Sequence, residues 1–208
     1  LHTECRRQRQ MCIRDSAEVL LKGSAVENLS LILRNGDIIK ELRDEVDAYE
    51  YDLTIIGGSA KRSMSHDMIQ YINSSIFVVN NFNKTINYKI LLAVDDSPGT
   101  KKAVKYGVRV AQAFGIKVQI ITVNEDENFK EVNKKSSENA SKMMRRCGVE
   151  AEIKFEIGKP VDKIIELAGE DHIIIMGAST QSPIAKFFVG SKPLNVMQNS
   201  NCPILIVK

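Results

Sequence analysis

Glycines and a serine near the end of the chain have the types and spacing that phosphate binding requires. Gly177 directly follows the apolar run 173–176, and Gly190-Ser191 comes just before an apolar helix predicted over Leu194–Met197. Glycine lets backbone N–H groups approach a ligand closely, and the free N–H groups and dipole of a helix N-terminus favour an anion. Ser191 adds a hydroxyl donor. Glycines are also common in turns at the ends of strands and helices. The pattern alone therefore does not decide between a phosphate site and simple turns.

Strands and helices alternate over the part of the chain that must position these residues. Apolar runs at 89–95, 118–123, 149–155, 173–176 and 204–207 predict strands, and the intervening segments carry apolar residues at helical spacing. The alternation implies crossover connections, and therefore an α/β fold with an open parallel sheet and helices on both faces. Ligands of such sheets bind at the carboxyl ends of strands where the strand order switches. The loops after the strands at 89–95 and 173–176 are therefore the expected site.

A series of turn, helix, strand, glycine and final strand occurs twice. Its second occurrence runs through 158–165, 171–177 and 201–207, and its first through 36–42, 51–57 and 74–79. Before the first occurrence there is a helix-like piece at 16–28 and a strand predicted at Leu29–Leu33, but no opening strand, helix and second strand. We expect this half-domain to pack on the complete copy or to be poorly ordered, because its strand edges would otherwise stay uncovered.

Three segments follow from this organisation. Residues 1–16 have no regular periodicity and resemble a translated adapter sequence, so we expect a disordered or artefactual segment. Residues 17–83 form the C-terminal half of a degenerate domain, and residues 84–208 form a complete domain.

Residues 88–208 resemble a universal stress protein domain. The first strand ends in Ala-Val-Asp-Asp-Ser at 93–97, the second in Thr-Val at 122–123, and Met-Gly, Gly-Ser and Cys-Pro-Ile-Leu-Ile-Val follow in family order. Residues 24–80 resemble the back half of another such domain. The resemblance implies a tandem protein with a Rossmann-like fold of the adenine nucleotide alpha hydrolase-like type.

The resemblance also implies a site for an adenine nucleotide. Asp95 would face the adenosine, Val123 would pack on the adenine, and Gly177, Gly190 and Ser191 would hold the phosphates of ATP, with Mg²⁺ accompanying them. The predicted nucleotide-binding residues are Ala93, Asp95, Val123, Met176, Gly177, Thr180, Gly190, Ser191 and Lys192.

Two of these positions have open interpretations. Thr180 stands where nucleotide-binding members of the family have a glycine, so its β-branched side chain either crowds a phosphate or donates a hydrogen bond to it. Lys192 either screens phosphate charge or is a solvated lysine. The first copy has Arg62 opposite Gly190 and a shorter loop after Gly57, so we expect it to bind no nucleotide.

The leading functional interpretation is an adenine-nucleotide-binding regulatory module of the stress response, not an enzyme. The sequence contains no Ser-His-Asp grouping, no Gly-x-Ser-x-Gly elbow and no Gly-Lys-Ser/Thr phosphate loop. The alternative is an interaction module of the same fold that has lost nucleotide binding. A ligase related to the ATP pyrophosphatases is disfavoured, because 95–99 does not match the Ser-Gly-Gly-x-Asp-Ser loop of that chemistry.

Composition limits the partners and the location. The net charge is +3, but four arginines lie within the first sixteen residues, so no basic face points to nucleic acid. No apolar run approaches the roughly 18 residues that span a bilayer, and no signal peptide is visible, so we expect no membrane partner and a cytoplasmic protein. Four scattered cysteines predict reduced thiols and no metal site. The final strand at 203–207 is expected to pair either in a homodimer or within the chain, between the two copies.

Overall fold

The computed structural model describes residues 30–57, 62–80, 86–126, 131–178 and 190–208. The chain separates into two compact units, Leu1–Glu41 and Leu42–Lys208. The adapter-like segment 1–16 and the helix expected over 16–28 lie outside the described residues, so both stay predictions.

The strand predicted at Leu29–Leu33 is wrong over its described residues, because 30–35 adopt no regular secondary structure. Its counterpart in the second copy, Ala151–Ile157, is a strand that pairs along its whole length with Val118–Asn124. Among the described residues no strand pairs with 30–35, and a segment becomes a strand only when a neighbouring strand takes its backbone hydrogen bonds. The turn after it is retained, since Gly36 and Gly158 both have positive φ values, 145° and 135°.

The elements of the described chain follow in the predicted alternating order. They are α1 (Ile38–Tyr49), β1 (Leu53–Gly57), α2 (Arg62–Tyr71), β2 (Ser75–Val79), β3 (Lys89–Ala93), α3 (Pro98–Phe114), β4 (Val118–Asn124), α4 (Glu131–Arg146), β5 (Ala151–Ile157), α5 (Pro160–Ala168), β6 (His172–Gly177), α6 (Ser191–Asn199) and β7 (Ile204–Val207). Glycine ends α3 as expected, because Gly115 adopts the left-handed conformation with φ 63°.

The described strands form one seven-stranded sheet in the order β1-β2-β7-β6-β3-β4-β5. Neighbouring strands are parallel except β2 and β7, which pair antiparallel with Ile76 opposite Ile206 and Val78 opposite Ile204. The predicted parallel sheet is therefore confirmed within each copy. The antiparallel pair joins β2, which lies in the segment interpreted as the first copy, to β7 at the end of the second, so the final strand pairs within the chain.

The order of the strands switches at β3, which lies between β6 and β4. On one face, alternate strand residues including Ile90, Leu92 and Ile175 pack against α3 and α4 in a buried core. Helix α5 packs against β3, β4 and β6 and also contacts α6. The carboxyl ends of β3, β4 and β6 therefore meet at one edge of a rigid sheet. None of the helices described is long and apolar enough to cross a membrane.

Strand β1 is an edge strand of unusual composition. Its sequence, Leu-Thr-Ile-Ile-Gly, carries no charge, and Ile55 is 63% exposed. The opposite edge, β5, alternates apolar residues with Glu152, Lys154 and Glu156. Charges on an edge strand discourage pairing with other chains, and an uncharged apolar edge promotes it.

We predict that Ile55→Lys lowers self-association of the full chain, measured by light scattering across a concentration series. The added ammonium group would have to be desolvated when another strand approaches β1. Phe155→Lys on β5, where the side chain is 38% exposed, is the matched control and should leave self-association unchanged. Equal effects of the two substitutions would contradict a specific role for β1.

The junction between β2 and β7 also contains a half-buried amine. The Nζ of Lys208 donates to the carbonyl of Ile72, and its backbone N–H donates to Ser75 Oγ at 3.3 Å. Burial disfavours the charged form and lowers the pKa of Lys208 from 10.5 to about 8.

From this shift we predict that the free energy of unfolding rises between about pH 8 and pH 10.5. In that window the unfolded chain holds a proton on Lys208 that the folded chain has lost, and stability rises with pH wherever the unfolded state binds more protons. Lys208→Met should flatten the rise in urea unfolding experiments, and Lys105→Met, at an exposed position of α3, should not. A rise of the same size in both variants would contradict the assignment.

Candidate functional site

The carboxyl ends of β3, β4 and β6 and the start of α6 enclose a cleft. Its described lining is Ala93, Val94, Asp95, Thr100, Ile121, Val123, Pro160, Ile164, Met176, Gly177, Lys192 and Pro193. Six of the nine residues predicted from sequence are in this lining: Ala93, Asp95, Val123, Met176, Gly177 and Lys192. Gly190 and Ser191 directly precede Lys192 at the start of α6. Thr180 lies outside the described residues, so both interpretations of its side chain stay open.

The Asp95 carboxylate is held by the start of α3. Its Oδ1 accepts hydrogen bonds from the Ser97 backbone N–H at 3.0 Å and from the Thr100 hydroxyl at 2.7 Å. Ser97 is the N-cap residue of α3 with Pro98 after it, as the sequence predicts, but its own hydroxyl makes no capping bond. The backbone and hydroxyl donors around the start of the helix therefore draw Asp95 into place, and Oδ2 of Asp95 has no hydrogen-bond partner within the described residues.

Helix α6 begins at Ser191, three residues before the predicted start, and Gly190 is its N-cap. Gly190 has φ −63° and ψ 163°, an extended conformation open to any residue, and as a glycine it has no side chain to cap the first turn; no other described residue caps it. A helix N-terminus without a side-chain cap keeps donor N–H groups and the positive end of the helix dipole available. Lys192 adds a positive charge beside them in the cleft.

Gly177 has a structural role that the sequence did not reveal. A Cβ atom at this position would lie 2.5 Å from the carbonyl carbon and 2.7 Å from the carbonyl oxygen of Gly99. The next amide, of Ala178, already donates to the Val207 carbonyl at 2.7 Å. The absence of a side chain at Gly177 therefore lets the end of β6 pack against the start of α3. Contact of Gly177 with a phosphate remains a prediction.

We predict that Gly177→Ala lowers the free energy of unfolding by about 1–3 kcal/mol, because the added methyl group overlaps backbone atoms that cannot move independently. Gly57→Ala is the matched control. Gly57 occupies the equivalent position in the first copy, and a Cβ there meets nothing within 4 Å. Its free energy of unfolding should change by less than about 0.5 kcal/mol. Urea unfolding of both variants checks the comparison, and a Gly177→Ala protein as stable as the parent would contradict the packing argument.

The cleft is narrow, with a volume of about 60 Å³. Pockets for small molecules usually measure about 300–1,000 Å³, so a whole nucleotide requires the cleft to open. A groove of about 920 Å³ lies elsewhere, between Asp47, Glu50 and Asp52 of the first copy and Lys102 and Tyr106 of α3. Its carboxylates outnumber its amines and would repel phosphates, and Tyr106 already donates to the Asp52 carbonyl at 3.2 Å. The narrow cleft is therefore the better candidate for an anionic ligand.

Sequence reasoning missed several residues of the cleft: Thr100, Ile121, Pro160, Ile164 and Pro193. Thr100 could have been found, because a hydroxyl residue five positions after Asp95, in the first turn of a predicted helix, can reach back to a carboxylate before that helix. Ile121 could also have been found, because it lies two residues before Val123 on β4 and so shares its face of the strand. Pro160, Ile164 and Pro193 carry no local signal, since their position in the cleft is set by how α5 and α6 pack on the sheet. Within the described residues, no group of three His, Cys, Asp or Glu side chains could hold a metal ion.

Comparisons with known proteins agree with this architecture. The model of the universal stress protein family matches residues 87–208, more than half of the chain. A universal stress protein of Methanocaldococcus jannaschii is 25% identical over 138 residues, which are 58% of this chain and 81% of that protein.

Solved structures share the fold. A universal stress protein from Archaeoglobus fulgidus DSM 4304 has a TM-score of 0.74 at 16% identity, covering 97% of this chain and 77% of that one. Another from Archaeoglobus fulgidus, solved in complex with dAMP, has a TM-score of 0.50 at 24% identity and covers 60% of this chain and 100% of that one.

Proposed function

Since the chain belongs to the universal stress protein family, we propose that it is an adenine-nucleotide-binding regulatory module, with ATP as its ligand. The observation that carries this proposal is the combination of two features in one cleft. The N-terminus of α6, with Lys192 beside it, can bind an anion. The Asp95 carboxylate, which Thr100 holds in place, can accept a hydrogen bond from a donor such as a ribose hydroxyl. A nucleotide carries both of these groups.

The apolar lining between these two features supports the same ligand. Ile121, Val123 and Ile164 lie in the cleft with the polar groups, and an adenine base needs an apolar surface to pack against. The Archaeoglobus fulgidus relative solved in complex with dAMP adds support, since it shows that a protein of the same fold binds an adenine nucleotide. In this chain the ligand must widen the narrow cleft, so we expect binding to be accompanied by movement of the cleft walls.

We propose regulation by occupancy instead of turnover. The described cleft lining contains no His or Cys, and Asp95 is its single carboxylate. Oδ1 of Asp95 already accepts two hydrogen bonds, and Oδ2 is assigned to the ribose, so the described residues offer no further group that could act as a general base at the phosphates. Mg²⁺ would enter with the phosphates of ATP. A cytoplasmic location belongs to the same proposal. A homodimer would have to form through a surface other than β7, because β7 is paired on both sides, by β2 and β6.

Isothermal titration of the full chain with MgATP tests the proposal. Saturable binding at micromolar ATP is the expected result, and Gly190→Val should weaken it at least tenfold. Valine can adopt the φ and ψ of Gly190, so the fold should persist, but its methyl groups cover the first-turn N–H groups of α6. Far-ultraviolet dichroism should stay unchanged.

Gly57→Val, at the equivalent position of Gly177 in the first copy, is the control and should bind ATP like the parent. Unchanged affinity in Gly190→Val would place the phosphates elsewhere. No binding at millimolar ATP would instead favour the second candidate function, an interaction module without nucleotide, for which the narrowness of the cleft is the supporting observation.

A further inference from the structure

We propose that Thr100 is a positioning residue that fixes the Asp95 carboxylate for recognition of the ribose hydroxyls. The inference rests on the proposed function and adds a residue that acts through Asp95. Thr100 is in the first turn of α3 and is only 6% exposed. Its hydroxyl donates to Asp95 Oδ1 at 2.7 Å, a shorter hydrogen bond than the one that the Ser97 backbone N–H donates to the same oxygen at 3.0 Å.

The hydrogen bonds between Thr100 and Asp95 are reciprocal. While the Thr100 hydroxyl donates to Oδ1, its oxygen accepts the backbone N–H of Asp95 at 3.2 Å. Backbone and side chain of Asp95 are thus both tied to the start of α3, and the carboxylate has little freedom to rotate.

This arrangement gives the two carboxylate oxygens different roles. Oδ1 already accepts from Ser97 and Thr100, so Oδ2 is the acceptor that remains for a ligand. A carboxylate acts only as an acceptor when ionised, and ribose hydroxyls are donors. A preorganised acceptor binds more tightly than a mobile one, because less conformational freedom is lost on binding. Loss of the Thr100 hydroxyl should therefore weaken recognition of the ribose without touching the phosphate end of the cleft.

Thr100→Val is the informative substitution, because valine keeps the shape of threonine and removes both the donor and the acceptor. Affinity for MgATP should fall by up to about tenfold, the cost of immobilising one freed side chain when the ligand binds. Thr100→Ser restores a hydroxyl and should bind within about threefold of the parent. Thr100→Ala is a second hydroxyl-free variant if the valine variant does not fold, which dichroism and thermal melting establish.

A comparison of two nucleotides separates positioning from a merely structural role. MgATP and its 2′,3′-dideoxy analogue differ only in the ribose hydroxyls. If Thr100 acts through Asp95, the hydroxyl-free variants lose affinity for ATP but keep the parent's affinity for the dideoxy analogue. In addition, Asp95→Asn combined with Thr100→Val should be no weaker than Asp95→Asn alone, since residues that act as a unit are not additive.

Each outcome of these titrations decides a different question. Equal weakening of both nucleotides by Thr100→Val, or no weakening of either, would overturn the role of Thr100 while leaving nucleotide binding intact. A parent protein that binds neither nucleotide would overturn the proposed function and this inference together.

Discussion

Antiparallel pairing of β2 with β7 joins two incomplete surfaces into one sheet, and the arrangement of the chain depends on it. Without this pairing β7 would be an open edge of the second copy, and β1 and β2 would have no sheet to join. Residues 30–35 adopt no regular secondary structure, and no described strand pairs with them. Every described strand of the sheet, by contrast, has at least one neighbouring strand that takes its backbone hydrogen bonds.

The central strands position the candidate site, because β3 lies between β6 and β4 at the point where the strand order switches. Their carboxyl ends open between α5 and α6 on one side and the start of α3 on the other. The backbones of Gly99 and Gly177 meet there with no room for a side chain. That contact fixes the start of α3, and α3 in turn fixes Asp95 through Ser97 and Thr100. Hydrogen bonds at the start of α3 therefore position the side chains of the site as much as the sheet does.

Membership of the universal stress protein family and the geometry of the cleft are independent grounds for proposing the same ligand class. The family model covers the second copy alone, and the described lining of the cleft belongs entirely to that copy. The first copy contributes an edge for β7 and a polar groove against α3. Its described residues therefore support the sheet, whereas the proposed ligand chemistry is concentrated in residues 93–100, 121–123, 176–177 and 190–193.

The sequence by itself determined the alternation of strands and helices, and the edge of the sheet, after the strands at 89–95 and 173–176, where a ligand is expected. These features are local: periodicity, helix caps and glycine turns are set by neighbouring residues. The resemblance to a family, and no local pattern, singled out Ala93, Asp95, Val123, Met176 and Lys192, which the structure brings into one cleft. The tertiary structure alone decided that β2 pairs with β7, that 30–33 is not a strand and that the cleft is narrow. It also decided that position 177 must be a glycine, because the backbone of Gly99 leaves no room for a side chain there. Each of those depends on contacts between segments distant in sequence, whose energies are absent from any local pattern.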